Sequence, residues 1–411
     1  MTNKRKIIND PVYGGFLTID DEVVFDVISH PFFQRQRRIK QLGLTYLVYP
    51  GAVHTRFNHM LGALDLMCRA LDVLKTKGVD ISDEELLGAK LAILLHDIGH
   101  GPFSHTSEHV IADVHHETLT ELFMQRLNQD MDGKLNLAIS IFNNTYHKHF
   151  LHQLVSSQLD MDRLDYLSRD SFFTGVSEGV VGTDRIISML NVCDDELVVD
   201  EKGIYSIEKF IVSRRLMYWQ VYMHKTVIAA DTLLLGILKR ARELKLQLDN
   251  PLGTFLDNHF TESDFINNPH LLELFSLIDD DDVMVAIKQW MGHADFVLRT
   301  LSSQLVNRQI CGVTIANQPF SADLIDSVRD KVQSELNIDY KQSEYFVNTG
   351  VLHNHAYDFN DQEIRVLYKN GMCYDISEAS DQLDRHFLEK QVTKYYLCYP
   401  KQFKKIIPVQ F

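Results

Sequence analysis

Five apolar residues, Leu91-Ala92-Ile93-Leu94-Leu95, run without a break into an adjacent His96-Asp97 pair. The apolar run places the pair at the end of a buried segment. Taking an imidazole and a carboxylate out of water is costly unless something compensates, and a metal ion is the natural compensation. His100 and His105 follow across the bend Ile98-Gly99-His100-Gly101-Pro102. Two ligands rarely make a tight site, so the fold has to bring others to this stretch from elsewhere.

Helical patterning dominates the chain up to residue 250. Between Arg56 and Lys77, Met60, Leu61, Leu64, Met67, Cys68, Leu71 and Leu74 recur at threes and fours, which predicts an amphipathic helix ending near Gly78. Ser82-Asp-Glu-Glu85 reads as a capping box for a helix running through Leu95. Further helices are expected over 118–127, 134–142, 149–167 and 207–245, with few convincing strands before 250. Beyond Asn250-Pro251-Leu-Gly253 the character shifts. Helices continue to Leu301 and over 322–336. Then 344–348, 363–368 and 394–399 read as strands, with Asn370-Gly371 as a hairpin turn and a helix over 375–389. A length of 411 residues exceeds one compact core. The expectation is a mainly α protein: a helical domain over 1–250, then a C-terminal region over 251–411 that is helical at first and α+β at its end.

The balance of 41 basic against 56 acidic residues, net −15, argues against a general nucleic-acid or anionic-membrane surface. It leaves room for a local basic pocket. The five cysteines are scattered, with no C-x-x-C, which fits a reducing compartment. The N-terminus has no signal-type apolar run, and no apolar stretch is long enough to span a bilayer. A cytoplasmic protein is expected.

Ligands for His96 and Asp97 have to come from neighbouring helices. His59 opens the preceding helix, and Asp162 lies in Asp160-Met-Asp162-Arg163-Leu-Asp165-Tyr166. On composition alone Asp160 and Asp165 compete with Asp162, and Asp165 shares a helix face with it. A His, His-Asp, Asp set is an N/O site suited to iron, manganese or zinc, with positions open to water.

The order His59…His96-Asp97…Asp162 resembles the HD superfamily of metal-dependent phosphohydrolases. The blocks Tyr49-Pro-Gly-Ala-Val-His54-Thr-Arg56-Phe-Asn-His59, His96-Asp-Ile-Gly-His-Gly-Pro-Phe-Ser-His105 and Asp160-Met-Asp-Arg-Leu-Asp-Tyr166-Leu-Ser-Arg-Asp170 resemble the branch that hydrolyses deoxynucleoside triphosphates. The likeness covers roughly residues 6–235. It implies a helical HD-domain bundle with His59, His96, Asp97 and Asp162 as ligands of one iron, manganese or zinc ion, and Mg²⁺ accompanying the triphosphate. It implies water attack on the α-phosphorus, releasing deoxynucleoside and inorganic triphosphate. Expulsion of the 5′-oxygen needs a proton donor. His105 is the candidate, with Glu108 able to orient it on a helix, and His100 and His116 match further active-site histidines. His115, adjacent, is an alternative to His116. Arg56, Arg163 and Arg214 match phosphate-binding positions, Arg163 standing where the family has lysine. Gln41, Tyr222, Tyr166 and Asp170 match the sugar site, and Leu42 packs beside it.

Some members of the branch are tetramers with nucleotide effectors between subunits. Lys6, Asn9, Gln34, Arg37, Arg185, Lys202, His224 and Lys225 fall at such contacts, so a homo-oligomer and a nucleotide effector are expected partners besides the substrate. Ser29 stands where a guanine-selecting aspartate is expected and Gln220 where an arginine is expected, which weakens the case for guanine-specific activation. Two rivals remain: another HD phosphohydrolase, such as a nucleoside monophosphatase or phosphodiesterase, and a nucleotide-sensing protein with little turnover.

Overall fold

A computed structural model describes residues 6–354, 357, 363–383, 385–389 and 391–407, and among these not the side chains of His105, Phe387 and Ile406. The chain is mainly helical, with a smaller α+β region at its C-terminal end. At its centre lies the helix Arg56–Thr76, packed against Asp83–Leu95 and Met161–Thr174. The predicted stripe is buried along this helix apart from half-buried Cys68. Ala63, Leu66, Ala70 and His59 are buried as well, so the helix is enclosed on most sides rather than on one face. Small residues there let the neighbouring helices approach closely.

The capping box at Ser82 is formed. Ser82 Oγ accepts from Glu85 N at 3.2 Å, and Glu85 Oε2 accepts from Ser82 N at 2.8 Å. Two expected long helices are broken. The stretch 149–167 divides into His149–Val155 and Met161–Thr174, because Asp160 caps the second helix. The stretch 207–245 divides into Ile204–Met217, a π-helical turn at Tyr218–Tyr222, and Lys225–Glu243, capped by His224. Apolar periodicity continues through both breaks, so the pattern alone hides them.

There are nine strands in three sheets among the described residues. β1 (Lys6–Asp10) and β2 (Gly15–Ile19) form a hairpin. β3 (Leu190–Cys193) and β4 (Glu196–Asp200) were not expected; β4 pairs in parallel with β7 (Arg365–Leu367), which turns at Asn370-Gly371 into β8 (Cys373–Asp375). Gly371 sits at φ +82°, the left-handed region this turn requires. β5 (Gly312–Ala316) and β6 (Asn348–Asn354) flank β9 (Val392–Tyr399). The four-stranded sheet therefore joins strands from both sides of residue 250. The helix expected over 375–389 is two short ones, Ile376–Ala379 and Arg385–Glu389. All five cysteines are free thiols, and no single helix is long and apolar enough to cross a membrane.

Candidate metal and phosphate site

Three helix ends meet at one point. His59 comes from the first turn of Arg56–Thr76, His96-Asp97 from the end of Asp83–Leu95, and Asp162 from the first turn of Met161–Thr174. His59 Nε2 lies 3.3 Å from His96 Nε2, 3.0 Å from Asp162 Oδ1 and 3.6 Å from Asp97 Oδ2. His96 Nε2 lies 3.4 Å from Asp162 Oδ1 and 3.6 Å from Asp97 Oδ1.

The other ring nitrogens show which atoms face inward. His59 Nδ1 donates to Asp165 Oδ2 at 2.7 Å and His96 Nδ1 donates to the Ile93 carbonyl at 2.6 Å. Both Nε2 atoms thus present lone pairs to two carboxylates, a set of acceptors that only a proton or a cation can reconcile. Burial alone would lower the His59 pKa, but Asp162 and Asp165 outweigh it and push it up to about 10. Asp162, despite its burial, is held far below the usual carboxylate range by His96 and His59. The donor set fits a divalent transition metal, with two imidazoles and two carboxylates.

Asp165 is itself clamped. Arg169 reaches it with Nε at 2.9 Å and Nη2 at 3.0 Å, the Tyr13 hydroxyl donates to it at 2.7 Å, and Arg169 continues to Asp10 at 2.6 Å. Gly62 makes room for this cluster: a Cβ there would stand 2.0 Å from Arg169 Nη2 and 2.1 Å from Asp165 Oδ1. Asp160 has a different task, accepting from the backbone N–H of Ser157 at 2.8 Å and of Arg163 at 2.6 Å. The three competing aspartates thus separate: Asp162 at the centre, Asp165 behind His59, Asp160 at the helix cap.

Arg56 ion-pairs with Asp97 and donates Nε–H to Ser104 Oγ at 2.9 Å. Arg163 lies beside Asp160 at 3.3 Å, and both Arg163 and Arg214 act electrostatically on half-buried Tyr166. Tyr166 meets Tyr222 edge to face at 6.3 Å. The Tyr222 hydroxyl donates to Asp170 Oδ2 at 2.8 Å, and Asp170 Oδ1 lies 2.7 Å from His54 Nε2. The His54 carbonyl accepts from Gln41 N at 3.0 Å. This chain of contacts links the expected sugar residues to the metal-side arginines, with Leu42 packed on the core beside Gln41. Gln41 Oε1 and Arg214 Nε are buried and have no hydrogen-bond partner among the described residues.

After Asp97 the chain is strained. Phe103 and Ser104 take φ of 53° and 51°, consecutive non-glycine residues in the left-handed region. Distant groups hold them. Asp280 Oδ1 accepts from Phe103 N at 2.8 Å while its Oδ2 accepts from Lys40 N at 3.0 Å. Arg35, fully buried, donates to the carbonyls of His100 at 2.9 Å and Ile278 at 2.8 Å. His100 Nε2 lies 3.3 Å from Asp97 Oδ1, and its ring stacks on His116 at 4.0 Å. Glu108 Oε1 accepts from both His116 N, at 2.8 Å, and His116 Nδ1, at 2.9 Å. Ser104–Thr106 is a single 3₁₀ turn that does not reach Glu108. The side chain of His105 lies outside the described residues.

A cavity of about 420 Å³ opens against His96, Asp97, Asp162 and His116. The expected effector residues are engaged locally. Arg37 donates to Gln34 at 2.8 Å, Arg185 donates to the Lys202 carbonyl at 3.3 Å, Lys6 sits over Phe25, and His224 caps the helix that begins at Lys225. Asn9 pairs within the β1–β2 hairpin, Ser29 ends the helix Glu22–Ser29, and the Gln220 carbonyl accepts from the Tyr49 hydroxyl at 2.6 Å. Asp165 enters the sequence reading only as a rival to Asp162 for the metal, and Arg169, Asp280 and Arg35 do not enter it as site residues; the carboxylate three positions from Asp162 is the one local signal.

An HD-domain family model matches residues 56–170, and an HD-associated-region model matches 181–251. An uncharacterized Bacillus subtilis protein, YwfO, is 31% identical over 97% of this chain and 93% of its own length. The deoxynucleoside triphosphate triphosphohydrolase SAMHD1 of Danio rerio is 24% identical over 100% of this chain and 70% of its own. A crystal structure of a phosphohydrolase from Bacteroides thetaiotaomicron matches with TM-score 0.93 and 49% identity over 97% of this chain and all of that one.

Proposed function

This chain belongs to the HD-domain phosphohydrolases, and on that premise we propose that it cleaves deoxynucleoside triphosphates to deoxynucleoside and inorganic triphosphate. The observation that carries the substrate class is the pair of buried, unpartnered atoms, Gln41 Oε1 and Arg214 Nε, on residues linked to the Tyr166–Tyr222 pair, Gln41 through His54 and Asp170 and Arg214 through its charge beside Tyr166. A buried polar atom without a partner costs on the order of 1–3 kcal/mol, which a ligand's sugar hydroxyl and phosphate oxygen would offset.

His59, His96, Asp97 and Asp162 would hold one divalent cation, which would supply Lewis-acid chemistry at the α-phosphorus. Arg56, Arg163 and Arg214 bind the phosphate oxygens, with Mg²⁺ accompanying the triphosphate. Gln41 and Tyr222 orient the sugar, with Asp170 and His54 fixing the Tyr222 hydroxyl. Leu42 packs against the ribose. Water's oxygen bonds to phosphorus as the bond to the 5′-oxygen breaks, and that oxygen takes a proton. His105 is assigned as the donor. His116, fixed by Glu108 and stacked on His100, completes the proton-handling set.

The test is a panel of dNTPs, NTPs and nucleoside monophosphates with products identified. Inorganic triphosphate and deoxynucleoside are expected from dNTPs. Orthophosphate from a monophosphate, with dNTPs untouched, would move the chain to a monophosphatase activity. Saturable dNTP binding without turnover in the manganese-loaded protein would mark a sensor.

A further inference from the structure

A second group of metal-binding side chains stands beside the first site without sharing a ligand with it. Glu108 Oε1 lies 2.9 Å from His116 Nδ1 and 3.9 Å from His115 Nε2. One donor atom from each of the three falls within 4.8 Å of the others. Two ligand atoms bound at ~2.1 Å and tetrahedral angles to one zinc stand about 3.4 Å apart, so these separations bracket what one ion needs. The far side of His115 is also prepared. Its Nδ1 lies 3.7 Å from Glu117 Oε2, which leaves Nε2 turned toward Glu108. A carboxylate hydrogen-bonded to the other ring nitrogen orients a metal-bound histidine, and Glu117, an ion-pair neighbour at 3.7 Å, is placed to close onto Nδ1 when Nε2 binds. Glu108 and His116 are mostly shielded while His115 is half exposed, at 51%, so an ion would have an open face and a route in.

We propose that Glu108, His115 and His116 form a second, weaker site for a zinc-class divalent cation, and that its occupancy suppresses turnover. Two nitrogens and one carboxylate suit zinc better than magnesium or calcium. The ion would engage the Glu108 carboxylate and His116 Nδ1, whose mutual hydrogen bond fixes the His116 ring beside His100. The suppression, though not the binding, rests on the reading of Glu108 and His116 as proton-handling groups.

The experiment counts zinc per chain by elemental analysis across a zinc titration of the full-length protein, with dNTP turnover followed in parallel. Wild type is expected to take up two zinc ions per chain in two steps, and turnover falls across the second. His115→Ala, at a half-exposed position outside the proposed machinery, is expected to stop at one zinc, to keep basal turnover and to resist the fall. Glu117→Gln is expected to weaken the second step roughly tenfold or more. A wild type that stops at one zinc, or a His115→Ala variant that still takes two, overturns the site. A second zinc that leaves turnover unchanged overturns the suppression. The zinc count needs no substrate, so if no dNTP is hydrolysed the site still stands or falls by stoichiometry, separately from the proposed activity.

Discussion

His59 Nδ1 and Asp165 Oδ2 lie 2.7 Å apart, both side chains fully buried, and this bond fixes which histidine nitrogen faces the metal cradle. Exchange of the carboxylate for an amide keeps the shape but weakens the acceptor and leaves Arg169 with less to pair. Asp165→Asn is expected to retain its fold and to lose divalent metal roughly 10- to 100-fold more readily than wild type. Elemental analysis after dialysis against graded chelator reads this directly. Equal retention would show that the His59 tautomer is set some other way.

The bend that carries Phe103 and Ser104 is held from a distant part of the chain by Asp280, which accepts from Phe103 N and Lys40 N. Asp280→Asn turns one acceptor into a donor facing a donor, at a cost of about 1–3 kcal/mol. The strained segment then relaxes. Metal content should stay at the wild-type level while kcat falls roughly ten- to hundredfold, since small misplacements of reacting groups are costly. A steady-state comparison on metal-replete protein decides it; an unchanged kcat would free Asp280 of any part in the site.

Most local signals in the sequence were legible and distant ones were not. The Ser82–Glu85 capping box and the Asn370-Gly371 turn depend on residues three or fewer positions apart, and both formed. His59, His96, Asp97 and Asp162 could be read because their order along the chain is itself a motif, and the fold brings them together. The breaks at Ser156–Asp160 and at Tyr218–His224 were hidden because apolar spacing continues through them. Asp280 could not be found, because its partner Phe103 lies 177 residues away and nothing near either residue marks the pairing. β3 and β4 pair locally, as a hairpin turning at Asp194-Asp195 with both residues in the left-handed region, and that short turn is an exception to the rule; the pairing of β4 with β7, from the far end of the chain, is the part no nearby residue marks.

Glu85 provides a pH-dependent handle on the helix that delivers His96. Its carboxylate accepts from Ser82 N at 2.8 Å, the Tyr146 hydroxyl at 2.7 Å and Lys148 Nζ at 2.9 Å. Burial would raise its pKa, but these partners outweigh it and bring it down to about 2. The unfolded-state value is about 4.3. A group depressed on folding stabilises fully above the unfolded value, and the contribution is lost as pH falls toward the folded one. Glu85→Gln should therefore cost on the order of 2–3 kcal/mol at pH 7, and the gap from wild type should narrow as pH falls from ~4.3 toward about 2. Urea titrations of both proteins at several pH values measure it, and a gap constant across that window contradicts the assignment.

Three aspartates within six residues hold separate positions, which makes them a sharp test of the cradle. Asp160 is 2% exposed and accepts two backbone N–H groups at the start of its helix, with burial pushing its pKa up to about 7. Asp160→Ala removes the cap and should lower stability by about 1–2 kcal/mol while metal stays bound. Asp162 lies against His59 and His96 instead, at 3.0 Å and 3.4 Å, and caps nothing. Asp162→Ala should leave the thermal midpoint of the metal-free protein near that of wild type while abolishing both metal retention and turnover. Stability thus responds to one and metal content to the other, although the two residues stand only two positions apart at the start of the same helix. If Asp160→Ala shed the metal and Asp162→Ala kept it, the ligand assignment would be reversed. If both variants kept metal and activity, the centre would lie elsewhere.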